Sequence, residues 1–518
     1  MITTTKQLTA LFRNMFLMGL LFFSVWMLGG CSKSKNTVSD DESSSGGTTT
    51  IESTTVTSGT VEGSTETGAN DEDNIENSTF SSIVSIAFGT TLNISNPLSG
   101  SGVTITQSGG DVVINATVAG VEYQLSGTTT NGSVKIYSDK KFKLTLNGVS
   151  ITNNDGPAIN IQSSKRAFIV LADGTTNSLT DGSAYATSTE DMKGTIFSEG
   201  QLIFTGNGSL TVKGNYKHAI VSDDYIRIVS GNITVSGAVT DGIHTNDAFI
   251  ADGGTLKITA SSDGIETEEG YIIINNGTFT LNTGDDGIAA SYDETDTTIT
   301  PYITINGGTI TVNSTAGEGI ESKSILTINA GNITTKTTDD GLNAGTAIYI
   351  NGGNIYAYST GNDAIDSNGT LTVTGGIIVA VGARAPEASF DCDARTFKIT
   401  GGTLVGIAGA TSGPSSSVST IHSVVMGSGT AGKIVHIEAA DGTEALTFLA
   451  PVSYSTLLFA SAKLKGSTTY NVYTGGSVAN GTDFSGLYSA GTYTKGTKSA
   501  TFTTSGMVTQ IGGSISRG

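Results

Sequence analysis

The sequence predicts an all-β protein: a right-handed parallel β-helix of about 22–23 residues per coil, capped at both ends by additional β-structure. Three observations predict this fold, namely the composition, a repeated phrase and the apolar pattern inside each repeat. The chain of 518 residues contains 69 Gly but only 6 Pro, and charged residues make up 14% of it. A composition rich in Ser, Thr, Ile and Val favours short strands, and the many glycines favour turns between them.

One phrase, a glycine followed by any residue and then an apolar residue, recurs through the middle of the chain. The glycines are Gly208, Gly231, Gly254, Gly277, Gly308, Gly331, Gly353, Gly376 and Gly402. Successive glycines are 23, 23, 23, 31, 23, 22, 23 and 26 residues apart, and the interval of 31 contains the insertion SYDETDTTITPY at 291–302. A period of this length indicates stacked units of supersecondary structure.

Each repeat holds three short apolar pieces, which we interpret as three strands per coil. Apolar residues alternate within two of the pieces, as strands with one buried face require. Matching positions should stack into columns, such as the one formed by Ile220, Ile243, Ile265, Ile288, Ile320, Leu342 and Ile365. A second register, two residues before the repeat glycine, holds Asn275, Asn306, Asn329 and Asn351. We predict that these four side-chain amides form a ladder at a turn.

The sequence divides into five predicted regions. They are a lipoprotein signal peptide at 1–30, a lipidated cysteine with a disordered tether at 31–80, an N-terminal β cap at 81–140, the parallel β-helix at 141–430 and a C-terminal β cap at 431–518. The tether is predicted because its residues are mostly Ser, Thr, Gly and Glu, with almost no apolar periodicity. The C-terminal cap is predicted as antiparallel strands, because the period is lost there and an open last coil would expose strand edges.

The first residues predict export and attachment to a membrane. Lys6 and Arg13 precede the apolar run MFLMGLLFFSVWMLGG, and LGGC at 28–31 resembles a bacterial lipobox, in which the signal is cleaved before a cysteine that becomes lipidated. We expect a lipoprotein anchored through Cys31 at the cell surface, and a retained transmembrane helix is the alternative. Cys392 is the only other cysteine, so no disulfide is expected within the mature chain.

A column of acidic residues accompanies the third apolar piece. Two residues before the stacked aliphatic residue lie Asp241, Asp263, Asp286, Glu318, Asp340 and Asp363. The residue just after it is His244, Glu266, Ala289, Glu321, Asn343 or Asp366, and Asp285 and Asp339 double the acid in two coils. Carboxylates in adjacent coils, about 4.8 Å apart, repel by roughly 3 kcal/mol per pair at an effective dielectric constant near 20.

Calcium is the cation that this column predicts. Calcium takes oxygen ligands at about 2.3–2.6 Å, so one ion fits between carboxylates separated by one coil. An all-oxygen ligand set argues against zinc as the natural ion. The alternative is a solvated row of Asp-Gly turns without metal. His244 could be a further ligand, but a histidine near a turn is more often polar surface.

Several features together resemble a known family. The stretch GTTNSLTDGSAY, the later GTIFSEGQLIFTGNGSLTVKGNYKHAI, the repeated DGI coils and the C-terminal TTYNVYTGG are similar to the bacterial carbohydrate-binding β-helix family typified by a clostridial polygalacturonate-binding surface protein. The resemblance covers about residues 85–475. It implies calcium along one face, binding of acidic plant polysaccharide such as pectin, and a fold related to family 9 pectate lyases. By resemblance, the calcium-binding residues are Asp263, Asp285, Asp286, Glu318, Glu321, Asp339, Asp340, Asp363 and Asp366.

Three functions remain open at this point. In the first, calcium bridges the acidic column to the uronate carboxylates of a polysaccharide, and no catalysis is expected. In the second, the chain is a pectate lyase-like β-eliminating enzyme, and Lys323 is the candidate base. In the third, calcium only stabilises an adhesin or scaffold. The net charge of −20 disfavours nucleic acid as a partner, and a monomer is expected.

Overall fold

The structure is a computed structural model that describes residues 47–54, 56–292 and 298–516. The predicted signal peptide, Cys31 and the first part of the tether lie outside the described residues, as do residues 293–297 of the insertion. Within the described ranges, no helix is long and apolar enough to cross a membrane.

Three strands form one coil, for example Ile243–Thr245, Ala248–Ala251 and Thr255–Thr259. We name the sheets to which these three strands belong sheet 1, sheet 2 and sheet 3. Each strand pairs in parallel with the equivalent strand of the next coil, so that Ile243 pairs with Ile265. The predicted parallel β-helix is therefore confirmed.

The strand bounds follow the repeat closely. Sheet 1 consists of Val103–Ser108, Asp111–Ala116, Ser133–Ser138, Ile159–Ile161, Gly194–Ser198, His218–Ser222, Ile243–Thr245, Ile265–Thr267, Ile288–Ala290, Ile320–Ser322, Leu342–Ala344, Ile365–Ser367 and Asp391–Cys392. Sheet 2 consists of Ser82–Phe88, Val121–Thr129, Phe142–Thr152, Ala167–Leu171, Leu202–Gly206, Tyr225–Ile228, Ala248–Ala251, Tyr271–Ile274, Tyr302–Ile305, Ile325–Ile328, Ala347–Ile350, Thr370–Val373 and Phe397–Ile399. Sheet 3 contains Thr176–Thr180, Ser209–Gly214, Asn232–Ala238, Thr255–Thr259, Thr278–Thr283, Thr309–Ser314, Asn332–Thr337, Asn354–Ser359, Ile377–Val381 and Thr403–Ala408. Phe142–Thr152 is long enough to pair with both sheet 2 and sheet 3.

The interior of the coils is one continuous apolar core. The aliphatic column predicted in sheet 1 is fully buried from Ile220 to Ile365. The same core extends from Val84 in the first sheet 2 strand to Ala460 near the C-terminal end. Stacking of equivalent aliphatic residues thus supplies the burial that holds neighbouring coils together.

The turn between sheets 2 and 3 explains the repeated glycine. Gly353 has φ +87°, a conformation that favours glycine, and a Cβ on it would lie 2.7 Å from the carbonyl oxygen of Gly331 in the preceding coil. The predicted asparagine ladder lies at this turn and is confirmed. Nδ2 of Asn306, Asn329 and Asn351 donates to Oδ1 of the preceding ladder asparagine at 2.9, 2.8 and 2.8 Å.

The N-terminal strap, which we define as residues 56–80, lies along the asparagine ladder. Amide Nδ2 atoms of the ladder donate to its carbonyl oxygens, for example Asn351 to Glu62 at 2.7 Å and Asn329 to Ser64 at 2.9 Å. At its far end the strap contains two 3₁₀ turns, Asp71–Asp73 and Ile75–Asn77. The sequence predicts a disordered tether through residue 80, whereas the structure hydrogen-bonds this part of it to the coils.

The strap runs from the last coils toward the first. The backbone N–H of Gly402 donates to the carbonyl oxygen of Thr57 at 2.8 Å near the C-terminal end. Near the other end, the buried carboxylate of Asp73 pairs with Arg166 at 2.8 Å and with Arg227 at 3.3 Å. Two arginines therefore hold one acid of the strap against the early coils.

The first coils begin earlier than the sequence predicts. Ser82–Phe88 already pairs in parallel with Val121–Thr129, and Asp111–Ala116 with Ser133–Ser138. Antiparallel pairing in this region is limited to Asn93–Ser95 and Val103–Ser108. Much of the region predicted as an N-terminal cap therefore belongs to the coil, because its longer strands lack the 22–23-residue period that marks the later coils.

The C-terminal end is closed by antiparallel strands. Thr456–Ser461 pairs with the last sheet 3 strand and with Ser423–Met426, which also pairs with Val508–Gln510. A separate seven-stranded sheet contains Thr48–Ile51, Ile434–Ala439, Glu444–Leu449, Thr469–Thr474, Ser477–Phe484, Leu487–Thr494 and Thr497–Thr503. A short pair, Thr411–Ser412 with Ile515–Ser516, completes this end.

Candidate cation-binding face

The acidic face follows the edge of sheet 1 at which each strand begins. We define it by Asp241, Asp263, Glu266, Asp285, Asp286, Glu318, Glu321, Asp339, Asp340, Asn343, Asp363 and Asp366. Within one repeat the acid lies in the turn, the next residue is usually glycine, and the aliphatic residue then enters the core. Glycine is needed because adjacent turns approach closely: a Cβ on Gly287 would lie 2.5 Å from the carbonyl oxygen of Gly319.

In five of the six turn acids, one carboxylate oxygen accepts a backbone N–H of the next coil. The Oδ1 atoms of Asp241, Asp263, Asp286 and Asp340 accept the backbone N–H of the equivalent acid one coil later, at 3.2, 2.7, 2.7 and 2.9 Å. Asp363 accepts the N–H of Ala388 in the same way. The acids therefore stabilise the stacking of the turns with one oxygen and leave the second oxygen for other contacts.

Carboxylate oxygens of these residues meet in groups along the face. In each group, one ligand atom per residue lies within 4.8 Å of the others, and the groups are Asp241–Asp263–Glu266, Asp263–Asp285–Asp286, Glu318–Asp339–Asp340 and Asp363–Asp366–Asp391. Atoms that close together can share one calcium ion, because its bonds of about 2.3–2.6 Å span about 5 Å across the ion. The donors are all oxygens, which suits calcium.

Two residues of the predicted set have other contacts. Glu321 pairs with Lys323, and Asn343 donates Nδ2 to Oδ2 of Asp340 at 2.9 Å and to Oδ2 of Asp366 at 3.3 Å. Asp391 was missed by sequence reasoning, because no Asp-Gly-aliphatic phrase precedes it. The register of sheet 1, which pairs Asp391 with Asp366, is the signal that identifies it.

Four acids of this face, Asp263, Asp340, Asp363 and Asp366, resist ionisation in the absence of a cation. Burial, followed by the charges of neighbouring acids, raises the pKa of Asp263 and of Asp366 to about 8. Burial likewise raises the pKa of Asp340 and of Asp363 to about 7, although hydrogen bonds from neighbouring groups oppose the shift. A divalent cation between these groups would supply the positive charge that the fold itself does not provide.

The pair Asp286 and Glu318 shows the same effect in adjacent coils. Burial raises the pKa of Asp286, and the hydrogen bond to Glu318 and the charge of Glu318 raise it further. Burial also raises the pKa of Glu318. A proton shared between the two side chains, or a cation between them, relieves their repulsion.

Lys323 lies beside the face, close to Glu318 and Glu321. Its ammonium group forms an ion pair with Glu321, and its side chain is about half exposed. Burial acts to lower the pKa of Lys323, but the hydrogen bond and charge of Glu321, together with Glu318 and Asp286, raise it overall. A base for β-elimination must be neutral, so this environment keeps Lys323 in the form that cannot remove a proton.

The histidines differ from the polar surface that the sequence predicts. His244 is buried and contacts Asp241, Glu266 and Glu268. His218 lies one coil earlier, in the register of the turn acids rather than in that of His244, and is also buried. The start of the acidic face therefore carries nitrogen as well as oxygen donors.

Comparison with known proteins gives consistent descriptions. The family model described as carbohydrate-binding domain-containing protein matches residues 99–385 and 303–444. A carbohydrate-binding domain-containing protein of Acetivibrio thermocellus is 38% identical over 118 residues, which are 22% of this chain and 41% of that relative. A solved structure, the polysaccharide lyase-like protein from C. thermocellum in a gadolinium derivative, aligns with a TM-score of 0.40 and 26% identity, over 52% of this chain and 96% of that one. The match to the Acetivibrio relative thus spans less than half of its length.

Proposed function

Because the chain belongs to the family of carbohydrate-binding domain-containing proteins, we propose that it binds acidic polysaccharide of the polygalacturonate or pectin type through calcium ions held on the acidic face. The observation that carries this proposal is the series of carboxylate groups spaced along sheet 1. Each group offers oxygen ligands from two neighbouring coils, or from a turn and the strand that follows it. Calcium held there would keep coordination positions for the carboxylates of a uronate polymer.

The arrangement suits a long polymer better than a small ligand. Groups at Asp263, Glu318 and Asp363 repeat along the axis of the coils, so one polymer could contact several calcium ions at once. Contacts that are weak individually then add through effective concentration, and affinity grows with the length of the polymer.

Affinity electrophoresis tests the proposal directly. The protein is run through gels that contain polygalacturonate, methyl-esterified pectin or a neutral glucan, each with calcium or with a chelator. We expect retardation by polygalacturonate in calcium, weaker retardation by the esterified polymer, and none in chelator or neutral glucan. Equal retardation with and without calcium would contradict the calcium bridge.

The scaffold alternative predicts a different pattern in the same experiment. If calcium only stabilises the coils, chelator lowers the melting temperature while no polysaccharide retards the protein in either condition. A binding protein should show both effects, with retardation increasing with the length of uronate oligomers added as competitors.

We also propose that Cys31 is lipidated and holds the domain at the cell surface. This proposal rests on the lipobox-like LGGC and on the apolar run before it. Replacement Cys31→Ala should release the protein from membranes into the soluble fraction, as measured by fractionation and by loss of incorporated radiolabelled fatty acid. Retention of the variant in the membrane would favour a transmembrane anchor instead.

A further inference from the structure

Two imidazoles stand at the start of the acidic face, on neighbouring coils of sheet 1. His218 lies in the register of the turn acids one coil before Asp241, and His244 follows the aliphatic residue Ile243. Their rings stack with centroids 4.2 Å apart and 26° between planes. The chain has only four histidines, so two of them meet here.

The side chains around these rings converge on one small volume. Nδ1 of His218 lies 2.7 Å from Oδ2 of Asp241, and Nδ1 of His244 lies 3.1 Å from the same oxygen. Nδ1 of His244 is also 3.1 Å from Oε2 of Glu266, which comes from the next coil. His218, Asp241 and His244 are 2%, 3% and 6% exposed, so water screens these donors little.

We propose that these four side chains bind a divalent transition metal ion of the zinc type. The ligands are Nδ1 of His218, Nδ1 of His244, Oδ2 of Asp241 and Oε2 of Glu266. Tetrahedral zinc with bonds of about 2.0–2.1 Å separates neighbouring ligand atoms by roughly 3.3 Å. The three separations of 2.7, 3.1 and 3.1 Å given above need to open by about 0.2–0.6 Å to reach this spacing. One ligand atom each of His218, Asp241 and His244 lies within 4.8 Å of the others, which is close enough for one ion.

The donor set decides which class of ion binds. Calcium takes oxygen ligands, whereas imidazole nitrogen suits zinc, copper, nickel and cobalt. The rest of the acidic face offers only oxygen donors. The nitrogen-containing site takes Asp241 and Glu266 from the first oxygen group, and the remaining oxygen sites begin with the group of Asp263, Asp285 and Asp286.

Contacts outside the four ligands support this assignment. Nε2 of His244 lies 3.3 Å from Oε2 of Glu268, the carboxylate–histidine–metal arrangement that orients a ligating imidazole. Nε2 of His218 has no hydrogen-bond partner within the described ranges of the chain. When Nδ1 binds a metal ion, the proton that Nδ1 shares with Asp241 is released or moves to this unpartnered nitrogen.

This site goes beyond the proposed function and does not depend on polysaccharide binding. Two ions are used as probes on the full-length protein, which is first freed of transition metals and saturated with calcium. Cobalt(II) is titrated in, and its visible absorption is recorded, because a four-coordinate cobalt ion absorbs far more strongly than hydrated cobalt. We expect one equivalent of cobalt to give this absorption and one equivalent of zinc to abolish it.

The wild-type titration alone can overturn the proposal. Absence of the cobalt band in calcium-saturated protein, or its loss on adding more calcium, would show that no nitrogen-containing site exists. This result does not depend on whether any variant folds.

Variants then identify the ligands. His244→Gln and His218→Gln should each weaken cobalt binding at least tenfold, and Glu268→Gln should weaken it about tenfold through loss of the contact to Nε2. The matched control is His422→Gln, because His422 lies outside the face and its Nδ1 contacts the carbonyl oxygen of Gly506 at 3.0 Å. Circular dichroism checks that each variant folds. Unchanged affinity in both His218→Gln and His244→Gln, or an equal loss in His422→Gln, would overturn the assignment.

Discussion

Asp340 shows how one carboxylate can serve both the coil and a cation. Its Oδ1 accepts the N–H of Asp363 and its Oδ2 accepts from Asn343, and its carboxylate also belongs to the group with Glu318 and Asp339. Asparagine has nearly the same shape and keeps an acceptor oxygen, but it removes the charge. The two roles can therefore be separated by a single substitution.

The first prediction concerns Asp340→Asn. In chelator the variant should melt at or above the wild-type temperature, because burial raises the pKa of Asp340 to about 7 and makes its charge costly near neutral pH. In calcium it should melt below the wild type and bind fewer ions. Differential scanning calorimetry and equilibrium dialysis with radioactive calcium measure both effects.

Two further variants define the control for this prediction. Asp340→Ala also leaves the N–H of Asp363 without its acceptor, so it should lose about 1–3 kcal/mol in chelator as well. Glu269→Gln alters an exposed acid of the chain near the face and should change neither measurement. If Asp340→Asn loses stability in chelator as much as Asp340→Ala, the carboxylate charge stabilises the cation-free coil and the interpretation is wrong.

The second prediction concerns Lys323. Because its ammonium group is paired with Glu321, we expect no release of unsaturated uronate from polygalacturonate by the wild-type protein in calcium. Ultraviolet absorbance of the unsaturated product measures this. Calcium-dependent release that disappears in Lys323→Ala, with polysaccharide retardation in gels retained, would establish the lyase instead.

At the scale of elements, the asparagine ladder connects two parts of the chain that are far apart in sequence. Nδ2 of Asn329 donates to the carbonyl oxygen of Ser64, 265 residues away, and to Oδ1 of Asn306. Its own Oδ1 accepts from Asn351. One side chain thus joins three coils to the strap.

The third prediction compares two asparagines of the same coil. Asn329→Ala removes three hydrogen bonds at a partly buried position, so we expect a loss of about 2–3 kcal/mol in the free energy of unfolding. Asn332→Ala removes one exposed ladder bond, the one from Asn354, and should cost about 0.5 kcal/mol or less. Urea unfolding measures the two losses, and limited proteolysis should cut the strap faster in Asn329→Ala alone. Equal losses would show that the strap contributes little to stability.

The same element shows where sequence reasoning succeeds and where it fails. The ladder asparagines were predicted, because each occupies one register of a repeat. The strap was predicted as a disordered tether, because its Ser, Thr, Gly and Glu residues carry no apolar pattern. Its backbone is held instead by amides such as Asn351 and by the buried pairing of Asp73 with two arginines, and neither depends on apolar periodicity.

At the scale of the whole molecule, the acidic face should make stability depend on pH in opposite directions with and without calcium. The folded pKa values are about 8 for Asp263 and about 7 for Asp340 and Asp363, compared with about 3.9 in an unfolded chain. At a pH between the unfolded and the folded pKa values, the carboxyl groups of the unfolded chain have released protons that those of the folded chain retain. Stability from these groups is therefore complete below about pH 4 and is lost as pH rises toward about 8.

The fourth prediction follows from this direction of the change in stability with pH. In chelator, the free energy of unfolding should fall from pH 5 to pH 8. Asp241 adds no slope over this range, because hydrogen bonds from His218 and His244 outweigh burial and lower its pKa, so it is ionised in both the folded and the unfolded chain. In calcium it should rise over the same range, because the ions bind the ionised carboxylates. Urea unfolding at each pH measures both slopes, and equal slopes in chelator and calcium would argue against cation binding by the face.

The whole molecule was predictable where it is periodic. Coils of 22–23 residues bring equivalent residues such as Ile265 and Ile288 into contact, so each contact recurs in the sequence as a spacing. The same spacing identified most of the acidic face. The ends were less predictable, because the early long strands and the seven-stranded C-terminal sheet use contacts that occur only once. His218 and Asp391 were not predicted as members of the acidic groups for the same reason, because each lies where the repeated Asp-Gly-aliphatic phrase begins or ends.

Pairing of the first described strand with the C-terminal sheet also sets an order of events during folding. Thr48–Ile51 pairs with residues 491–494, and Thr49 Oγ1 donates to Glu438 across 389 positions of the chain. Residues that leave the ribosome early must therefore wait until almost the whole chain has been made. The coils and the strap can form first, because their contacts end at Gly402, whereas Thr48–Ile51 can pair only as a last step. A chain cut short near its C-terminus would therefore hold folded coils and strap with an unpaired first strand.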